Sequence, residues 1–398
     1  MRKSLYSMSV LALIALTACG KKEEPVAAAP APAPVAAAPD TSSVVKIGHV
    51  GPTSGGIAHL GKDNENGARM AIDELNAKGV MIGGKKVTFE LLAEDDAGDP
   101  KQGTAVAQKL VDSKVNGVIG HLNSGTTIPA SKIYFDAGIP QISPSATNPK
   151  YTRQGFNTAF RVVADDVHLG STLGNYAVKE LKGKSIAVID DRTAYGQGVA
   201  EEFSKAVKAS GGTVAETQFT TDKATDFTAI LTQIKSKKPD VVFFGGMDAV
   251  AGPMIRQMKQ LGIKAKFMGG DGICSSELPK LAGGAMADSQ VVCAEAGGVE
   301  GEQKVGMDKF REDYKKKFGI DVQVYAPYVY DALNVMVAAM VKADSADPKV
   351  YLPVLAKTEG YKGVTGTISF DEKGDVKNGA LTLYTYKGDK RDQIAVVR

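Results

Sequence analysis

The sequence alternates apolar strands with amphipathic helices, and the same alternation occurs twice along the chain. Four strands are predicted in each winding, at 44–50, 86–95, 117–120 and 139–143 in the first and at 185–190, 213–219, 240–246 and 265–270 in the second. Between the strands, apolar residues recur at the spacing of one helix face. Apolar strands joined by helices form parallel sheets that are covered on both faces. The sequence therefore predicts two doubly wound α/β lobes.

The C-terminal part of the chain does not repeat this pattern. Helices are predicted at 303–318, 327–342 and 348–358, and two strands joined by a turn are predicted at 366–375 and 380–389. These elements could complete either lobe. A chain that crosses between its lobes more than once forms a hinge, so we expect a multi-strand connection.

Residues 1–18 have the features of a signal peptide. Arg2 and Lys3 precede an apolar run at 10–16 that is too short to span a bilayer. The run is followed by small residues directly before Cys19, which favours a lipoprotein signal in which Cys19 is acylated. The alternative is an ordinary secretory signal with an incidental cysteine. Several acyl chains on one cysteine would anchor the protein stably to a membrane.

Residues 19–43 are predicted to be the lipidated cysteine and a linker. Within this segment, 25–39 contain only Ala, Pro and Val, a composition typical of an extended spacer.

The two remaining cysteines, Cys274 and Cys293, form an even pair in a chain with an export signal. That context favours a disulfide, with two buried thiols as the alternative.

The composition argues against several classes of function. Lys and Arg number 48 against 45 Asp and Glu, without a concentrated basic stripe, so we expect no nucleic-acid partner. The four histidines show no metal-ligand spacing, and the chain has neither a nucleophile elbow nor a dinucleotide loop after a strand. The acidic run at 94–99 lacks the calcium-loop pattern and is explained by a helix start at Asp99. We expect no enzyme activity, no metal and no cofactor.

Short polar residues follow the predicted strands of both windings. After the strand at 117–120, Ser124 lies at a helix start that resembles a phosphate loop, but Thr126 occupies the position of its lysine. Hydroxyls and free N–H groups at a helix start suit a carboxylate, whereas Asp271, which follows a strand of the second winding, suits a cation. A ligand carrying both charges about one carbon apart is an α-amino acid. The alternative is that Ser124 and Thr147 are helix N-caps and that Asp271 is a turn residue.

The stretches that carry these features resemble a known family. From 44 to about 390, the chain is similar to the substrate-binding proteins of branched-chain amino-acid ABC transporters, which have the type I periplasmic-binding fold. The similar stretches are DELNAKG (73–79), DDAGDPKQ (95–102), VIGHLNSGTTIPAS (118–131), ISPSATNP (142–149), AYGQG (194–198), FMGGDG (267–272) and FDEKGD (370–375).

The resemblance implies a monomeric periplasmic protein that captures Leu, Ile or Val by hinge closure and delivers it to an ABC permease. Its N-terminal lobe would comprise 44–164 plus 297–371, and its C-terminal lobe 165–296 plus 372–398. Its only contact with the membrane would be the lipid anchor. Two alternatives remain open: a ligand-sensing protein for another small amino acid or amide that feeds a receptor, and an interaction lipoprotein of the same fold.

The resemblance also implies the ligand contacts. Ser124 and Thr147 would hold the carboxylate, Ser145 would offer a carbonyl to the ammonium, and Tyr195 would close over the ligand. Asp271 would pair with the ammonium, although it is shorter than the glutamate of leucine-type binders. The remaining implied contacts are Ala146 in the same loop as Ser145, and Leu60, Asn123, Met247 and Tyr325 around the ligand side chain. Leu60 and Met247 replace aromatic residues, and the family's cysteine pair is absent, which leaves the identity of the ligand open.

Overall fold

A computed structural model of the protein describes residues 43–397, so the predicted signal peptide, Cys19 and nearly all of the linker lie outside the described residues. The strands are β1 (Ser43–Gly51), β2 (Met81–Ile82), β3 (Lys85–Asp95), β4 (Gly117–Gly120), β5 (Gln141–Ser143), β6 (Ala159–Arg161), β7 (Ser185–Asp190), β8 (Thr213–Phe219), β9 (Val241–Gly245), β10 (Lys266–Gly269), β11 (Val291–Glu295), β12 (Tyr361–Gly363), β13 (Gly366–Ile368), β14 (Leu381–Lys387) and β15 (Lys390–Val397). The helices are α1 (Ala58–Lys78), α2 (Pro100–Asp112), α3 (Ser124–Ala137), α4 (Asp166–Lys179), α5 (Ala194–Ala209), α6 (Thr228–Ser236), α7 (Asp248–Gln260), α8 (Leu278–Leu281), α9 (Glu302–Phe318), α10 (Ala326–Lys342) and α11 (Pro348–Leu355). Within this described part, no helix combines the length and the apolar character needed to cross a membrane.

The strands form two large sheets, as the repeated alternation predicts. The first has the order β2-β3-β1-β4-β5-β6, and the second has the order β15-β14-β11-β10-β9-β7-β8. The first sheet is parallel except for the pair β2 and β3, and β11, β14 and β15 form an antiparallel edge of the second. The strand order reverses at β1 in one sheet and at β7 in the other. Ligands of parallel sheets bind at such reversal points, beyond the carboxyl ends of the strands.

Helix α1 packs closely against the loop after β1 and the start of α10. A Cβ added to Gly61 would lie 2.0 Å from the carbonyl oxygen of Pro52, and one added to Gly67 would lie 2.3 Å from that of Ala326. A larger residue at either position would push α1 away from these backbones. The helix ends, as predicted, at Gly79, which caps it with a left-handed φ of 67°. This packing fixes the first turn of α1 at the edge of the sheet where the site lies.

The C-terminal part differs from the sequence prediction. The strand predicted at 366–375 is limited to β13, which pairs with β12. Asp371 interrupts it, because its carboxylate accepts hydrogen bonds from the backbone N–H groups of Lys373 and Asp375 and folds the segment into a turn. The strand predicted at 380–389 is β14, which pairs with β11 and β15 instead. The two predicted strands therefore belong to different sheets, and the first is shorter than predicted.

Three segments connect the two sheets within the described residues, at 162–165, 296–301 and 371–380. The backbone N–H of Ala164 donates to the carbonyl of Ala296 at 3.2 Å, so the first and second segments lie side by side. The chain therefore crosses between the lobes repeatedly, and the multi-strand hinge predicted from the sequence is confirmed. Hinges of this kind allow domain closure through small backbone rotations in a few connecting residues.

The second lobe contains a disulfide between Cys274 and Cys293, as the sequence predicts. Both cysteines are buried in the apolar core of that lobe. Cys293 lies in β11, and Cys274 lies just after β10. The bond therefore fixes the segment that follows β10, which begins with Asp271.

Candidate ligand-binding site

The polar strand ends of both lobes meet at the interface between the lobes, which we call the cleft. All of the residues implied by the sequence lie at these strand ends or in the adjoining helix turns, and all except Asn123 are buried. In the first lobe, the loops after β4 and β5 contact each other. The Ser145 hydroxyl donates to the carbonyl of Leu122 at 3.0 Å, and the backbone N–H of Asn148 donates to the hydroxyl oxygen of Ser124 at 3.2 Å. These two loops form one continuous polar wall.

Ser124 is the first residue of α3, not its N-cap. The N-cap is Asn123, whose side chain makes no capping hydrogen bond. The first N–H groups of a helix have no acceptor within the helix, and the helix dipole makes that end positive. The start of α3 therefore offers N–H groups and a hydroxyl to an anion, and the capping alternative for Ser124 is wrong.

Thr147 is also not a helix cap. The short 3₁₀ helix Pro149–Tyr151 is capped by Asn148, whose side chain accepts from the backbone N–H of Lys150. The Thr147 side chain is fully buried, and its hydroxyl has no hydrogen-bond partner among the described residues. A buried hydroxyl without a partner costs free energy. The polar group beside it is the carboxylate of Asp166, whose pKa burial raises and the Thr147 hydroxyl lowers.

Asp271 bridges the two lobes through tyrosine hydroxyls. Its Oδ1 accepts from the hydroxyl of Tyr195 at 2.8 Å, and its Oδ2 accepts from the hydroxyl of Tyr325 at 2.9 Å. Tyr325 precedes α10 of the first lobe, whereas Asp271 follows β10 of the second. Burial raises the pKa of Asp271 to about 6, although the two hydroxyls favour its ionised form. The residue is more than a turn former, because it places a buried carboxylate in the cleft.

Asp166 is a second buried carboxylate in this region, and no motif in the sequence marks it as a site residue. It opens α4, and its backbone N–H donates to the carbonyl of Thr147 at 2.8 Å. Neither carboxylate oxygen makes a hydrogen bond of good geometry among the described residues, and the Thr147 hydroxyl is the polar group that lowers the pKa of this carboxyl. Burial raises its pKa well above the usual range, and the negative charge of Asp271 raises it further. Two neighbouring acidic groups in this environment retain a proton more readily, and a bound cation would offset their mutual repulsion.

The lobes touch each other at the rim of the cleft. The side-chain amide of Asn148 in the first lobe donates to the carbonyl of Ala194 at 2.7 Å in the second. Gly198 passes close to the same place, since a Cβ there would lie 2.6 Å from Asn148 Nδ2 and 2.6 Å from Asp166 Oδ2. The structure is therefore a closed arrangement of the two lobes.

The apolar part of the cleft surrounds the turn after β10. A Cβ added to Gly272 would lie 2.7 Å from the sulfur of Met247 and 2.9 Å from Cε1 of Tyr195. Met247 is the N-cap residue of α7, and Leu60 lies in the first turn of α1. Leu60, Tyr195, Met247 and Tyr325 belong to one apolar cluster. Aliphatic and thioether groups of this kind form a pliable apolar wall.

Arg161 holds the loop that carries Thr147, although no motif in the sequence marks it as part of the site. Its fully buried guanidinium donates to the carbonyls of Ala146 at 2.8 Å and Asn148 at 3.1 Å. It also donates to Oδ1 of Asp375 at 2.6 Å. Asp375 lies in the third segment between the lobes. Arg161 therefore links the polar wall of the cleft directly to the hinge.

Replacing Arg161 with lysine is expected to lower the free energy of unfolding by about 1.5–3 kcal/mol, because an ammonium cannot reproduce the planar fork that joins three acceptors. Urea unfolding followed by circular dichroism measures the change. The matched control is Arg153→Lys, since Arg153 also contacts Asp375, at 3.6 Å, but has 37% of its side chain exposed. We expect the control to change stability by less than about 0.5 kcal/mol. Equal effects of the two substitutions would contradict the role assigned to Arg161.

The acidic run at 94–99 is satisfied by the protein itself. Asp99 caps α2 and accepts from the backbone N–H groups of Lys101 and Gln102, as the sequence predicts. Asp96 accepts from the backbone N–H of Gly98 and contacts Nδ1 of buried His121 at 2.9 Å. Within residues 43–397, no group of three or more His, Cys, Asp or Glu side chains is arranged to hold a metal ion.

These features define the class of protein. Two parallel sheets joined by three segments, with a polar cleft at the strand ends, form a type I periplasmic-binding fold. The model of the periplasmic binding protein family matches residues 44–391. The chain therefore belongs to the periplasmic binding protein family.

The similarity to particular proteins extends over both lobes. Leu/Ile/Val-binding protein homolog 1 of Brucella abortus is 38% identical over 336 residues, which cover 84% of this chain and 88% of that protein. The leucine-, isoleucine-, valine-, threonine-, and alanine-binding protein of Pseudomonas aeruginosa is 35% identical over 348 residues, which cover 87% of this chain and 91% of that protein. The solved structure of the branched-chain amino acid transporter substrate binding protein LivJ from Streptococcus pneumoniae, in complex with isoleucine, has a TM-score of 0.79 and 27% identity, and covers 89% of this chain and 99% of its own.

Proposed function

We propose that this protein is an extracytoplasmic binding protein that captures a free aliphatic amino acid and delivers it to an ABC transporter permease. One observation carries the proposal: the buried carboxylates Asp271 and Asp166 interact with each other, and Asp166 contacts Thr147 in the polar loop of the first lobe. The start of α3 contacts the same loop and suits an anion. An α-amino acid has the complementary pair of charges. The names of the relatives and the isoleucine in the similar structure support the same class of ligand.

The ligand carboxylate would bind at the start of α3, to the hydroxyl and N–H of Ser124 and to Thr147. The ammonium would bind Asp271 and Asp166, with the Ser145 carbonyl as a further acceptor. Because both carboxylates are buried, an ammonium offsets a desolvation cost that the protein otherwise bears alone. Ala146 and Tyr195 would enclose the backbone part of the ligand.

The ligand side chain would contact Leu60, Asn123, Met247 and Tyr325. Leu60 and Met247 are apolar, so this pocket favours an aliphatic side chain such as that of leucine, isoleucine or valine. Contact of an aliphatic side chain with these walls makes the free energy of binding more favourable by about 25 cal/mol for each Å² of apolar surface buried.

Capture would occur by closure of two lobes, which we propose to comprise 44–164 plus 297–371 and 165–296 plus 372–398. Ser124 and Thr147 lie in the first lobe, whereas Asp271 lies in the second. Only the closed form makes all of these contacts, so the ligand shifts the population of the protein toward closure. The permease would then recognise the closed form.

We further propose that the protein acts as a monomer on the periplasmic side of a bacterial membrane, anchored through acylated Cys19. The proposal rests on the sequence before Cys19 and on the Ala- and Pro-rich segment that follows it. Such a spacer would let the two lobes reach a permease in the same membrane.

The amino-acid proposal is tested by thermal unfolding of the full-length protein with single amino acids. A ligand at a hundred times its dissociation constant is expected to add about 2.7 kcal/mol of stability. Leucine, isoleucine, valine, alanine and threonine are the first compounds to test. Leucinamide, which lacks the carboxylate, and 4-methylpentanoate, which lacks the ammonium, are the matched controls and are expected to have no effect. The proposal would be overturned if none of the amino acids stabilised the protein. It would also be overturned if a control compound stabilised the protein as much as leucine does.

A further inference from the structure

A hydrogen-bonded pair of ionisable side chains spans the rim of the cleft, outside the proposed ligand contacts. Nε2 of His59 lies 2.7 Å from Oδ2 of Asp248. His59 is in the first turn of α1 in the first lobe, and Asp248 is the first residue of α7 in the second lobe. The pair therefore exists only when the lobes are together.

Asp248 is held in place by its own lobe. Its side chain is fully buried, and Oδ2 also accepts a hydrogen bond from the hydroxyl of buried Ser275. The positive end of the α7 dipole further stabilises a negative charge at this position. Oδ1 has no hydrogen-bond partner among the described residues. The second lobe thus presents a fixed, incompletely satisfied acceptor to the first.

His59 is surrounded by negative charge in the closed form. Asp248 on α7, Glu277 beside α8 and Asp63 on α1 all face it. Burial alone lowers the pKa of His59, but the hydrogen bond and charge of Asp248, aided by Glu277 and Asp63, outweigh burial and raise it above its usual value. Its side chain is still 23% exposed, so protons reach it from solvent.

The segment that contains Ser275 makes a further contact across the cleft. The Ser276 hydroxyl donates to Oε1 of Gln323 at 2.6 Å, and Gln323 precedes α10 in the first lobe. Asp271 lies at the start of the same segment and contacts Tyr325. The rim pair, the serines and the proposed ammonium site therefore dock against the first lobe as one unit.

We propose that His59 and Asp248, supported by Ser275, form a proton-operated latch that holds the two lobes closed. His59 and Asp248 are positioning residues, because they act on closure and not on the ligand itself. The latch rests on the proposed function, because closure matters only if it captures a ligand. Closure itself can be measured without any ligand.

The direction of the pH effect follows from the two forms. In an open form, His59 is separated from Asp248 and has an ordinary pKa of about 6.5. Closure raises the pKa, so closure takes up a proton and becomes more favourable as the pH falls toward about 6.5. Each unit of that rise multiplies the equilibrium constant for closure by about ten.

Below about pH 6, protonation of Asp271 opposes this effect by removing the partner of the ammonium. Asp166 contributes in the same direction as Asp271, since its protonated form also lacks charge.

The first test is the pH dependence of affinity, measured by calorimetry of the full-length protein from pH 5.5 to 9 with L-leucine as the probe. The wild type is expected to bind several-fold more tightly at pH 6.5 than at pH 9. His59→Gln keeps a side-chain donor but cannot gain charge, so we expect it to lose the increase in affinity between pH 9 and pH 6.5, while the loss of affinity below about pH 6 persists. Asp248→Asn should behave in the same way, and the double variant should be no worse than either single variant. An unchanged alkaline dependence in His59→Gln would overturn the latch.

The second test measures closure without ligand, by hydrogen exchange of the full-length protein at pH 6.5 and 8.5 with correction for intrinsic exchange rates. Peptides covering 245–252 and 321–327 report on the two sides of the rim. They are expected to be several-fold better protected at pH 6.5 in the wild type and equally protected at both values in His59→Gln. If protection follows this pattern but no amino acid stabilises the protein in the thermal-unfolding test, the latch stands and the proposed ligand is refuted. Equal protection in wild type and variant would refute the latch.

Discussion

Asp271→Asn is expected to weaken amino-acid binding by about 3–5 kcal/mol, which is a few hundred- to a few thousand-fold in the dissociation constant. Asparagine keeps the size of the side chain and a carbonyl oxygen for the tyrosine hydroxyls. It removes the charge that pairs with the ligand ammonium, so the ammonium would be buried with Asp166 as its remaining anionic partner. Calorimetry at pH 7.5 with the amino acid that stabilises the wild type most measures the loss.

The unliganded variant separates lost binding from lost folding. Burial raises the pKa of Asp271 to about 6, so its contribution to stability is fully present below its unfolded pKa and is lost as the pH rises through about 6. Above pH 6, Asp271→Asn avoids the cost of a buried charge and is expected to be at least as stable as the wild type. A variant that binds normally would remove Asp271 from the ammonium site.

The matched control is Asp331→Asn. Burial also raises the pKa of Asp331 to about 6, but this carboxylate accepts from the backbone N–H groups of Val364 and Thr365. Its hydrogen bonds lie within the first lobe and do not reach the cleft. We expect this substitution to lower stability and to leave the affinity within about twofold, because hydrogen bonds to a charged group contribute about 1.5–3 kcal/mol to folding.

Loss of the disulfide between Cys274 and Cys293 is expected to lower the free energy of unfolding by about 3 kcal/mol. The bond closes a loop with a sequence separation of 19, and without it the unfolded chain gains the corresponding conformational freedom. Urea unfolding of the wild type with and without a phosphine reductant measures the effect, with a thiol assay to establish that reduction is complete. The variant Cys274→Ala with Cys293→Ala tests the same bond without a reductant.

The disulfide variant also reports on the site. Cys274 is not one of the proposed ligand contacts, but its backbone N–H donates to the carbonyl of Asp271 at 3.0 Å. We therefore expect weaker ligand binding in addition to the lower stability. An unfolding midpoint that is the same for the oxidised and the fully reduced protein would contradict this prediction.

The two lobes were predictable because their signals are local and repeated. The central strands, such as β7 and β9, are mostly apolar, and the helices between the strands carry a regular apolar face. Each pattern therefore indicates its own type of element. The strand predicted at 366–375 failed for a local reason as well, since the Asp371 turn interrupts it. The strands β11 and β15 and the helix α4 were not predicted. The pairing of β11 with β14, and of β14 with β15, and the packing of α4 depend on contacts between residues that are distant in the sequence.

The site was predictable only in part. Ser124 and Asp271 follow recognisable strands, so their positions at the edge of a parallel sheet could be inferred. Asp166 looks in the sequence like an ordinary acidic residue in the first turn of a helix. Arg161 looks like a residue at the end of a short strand. Nothing in the local sequence of Asp166 indicates that its carboxylate is buried beside Asp271. Nothing near Arg161 indicates that its side chain joins the cleft to the hinge.

By itself, the sequence determined the α/β class, the two lobes and the chemistry of the strand ends, because these follow from periodicity and from where short polar residues stand. Only the tertiary structure decided which groups face each other across the cleft. Asp271 meets Tyr325, and His59 meets Asp248, through contacts between residues that are 54 and 189 positions apart. Such pairs arise from the way the hinge segments bring the two lobes together. No local sequence preference encodes that geometry.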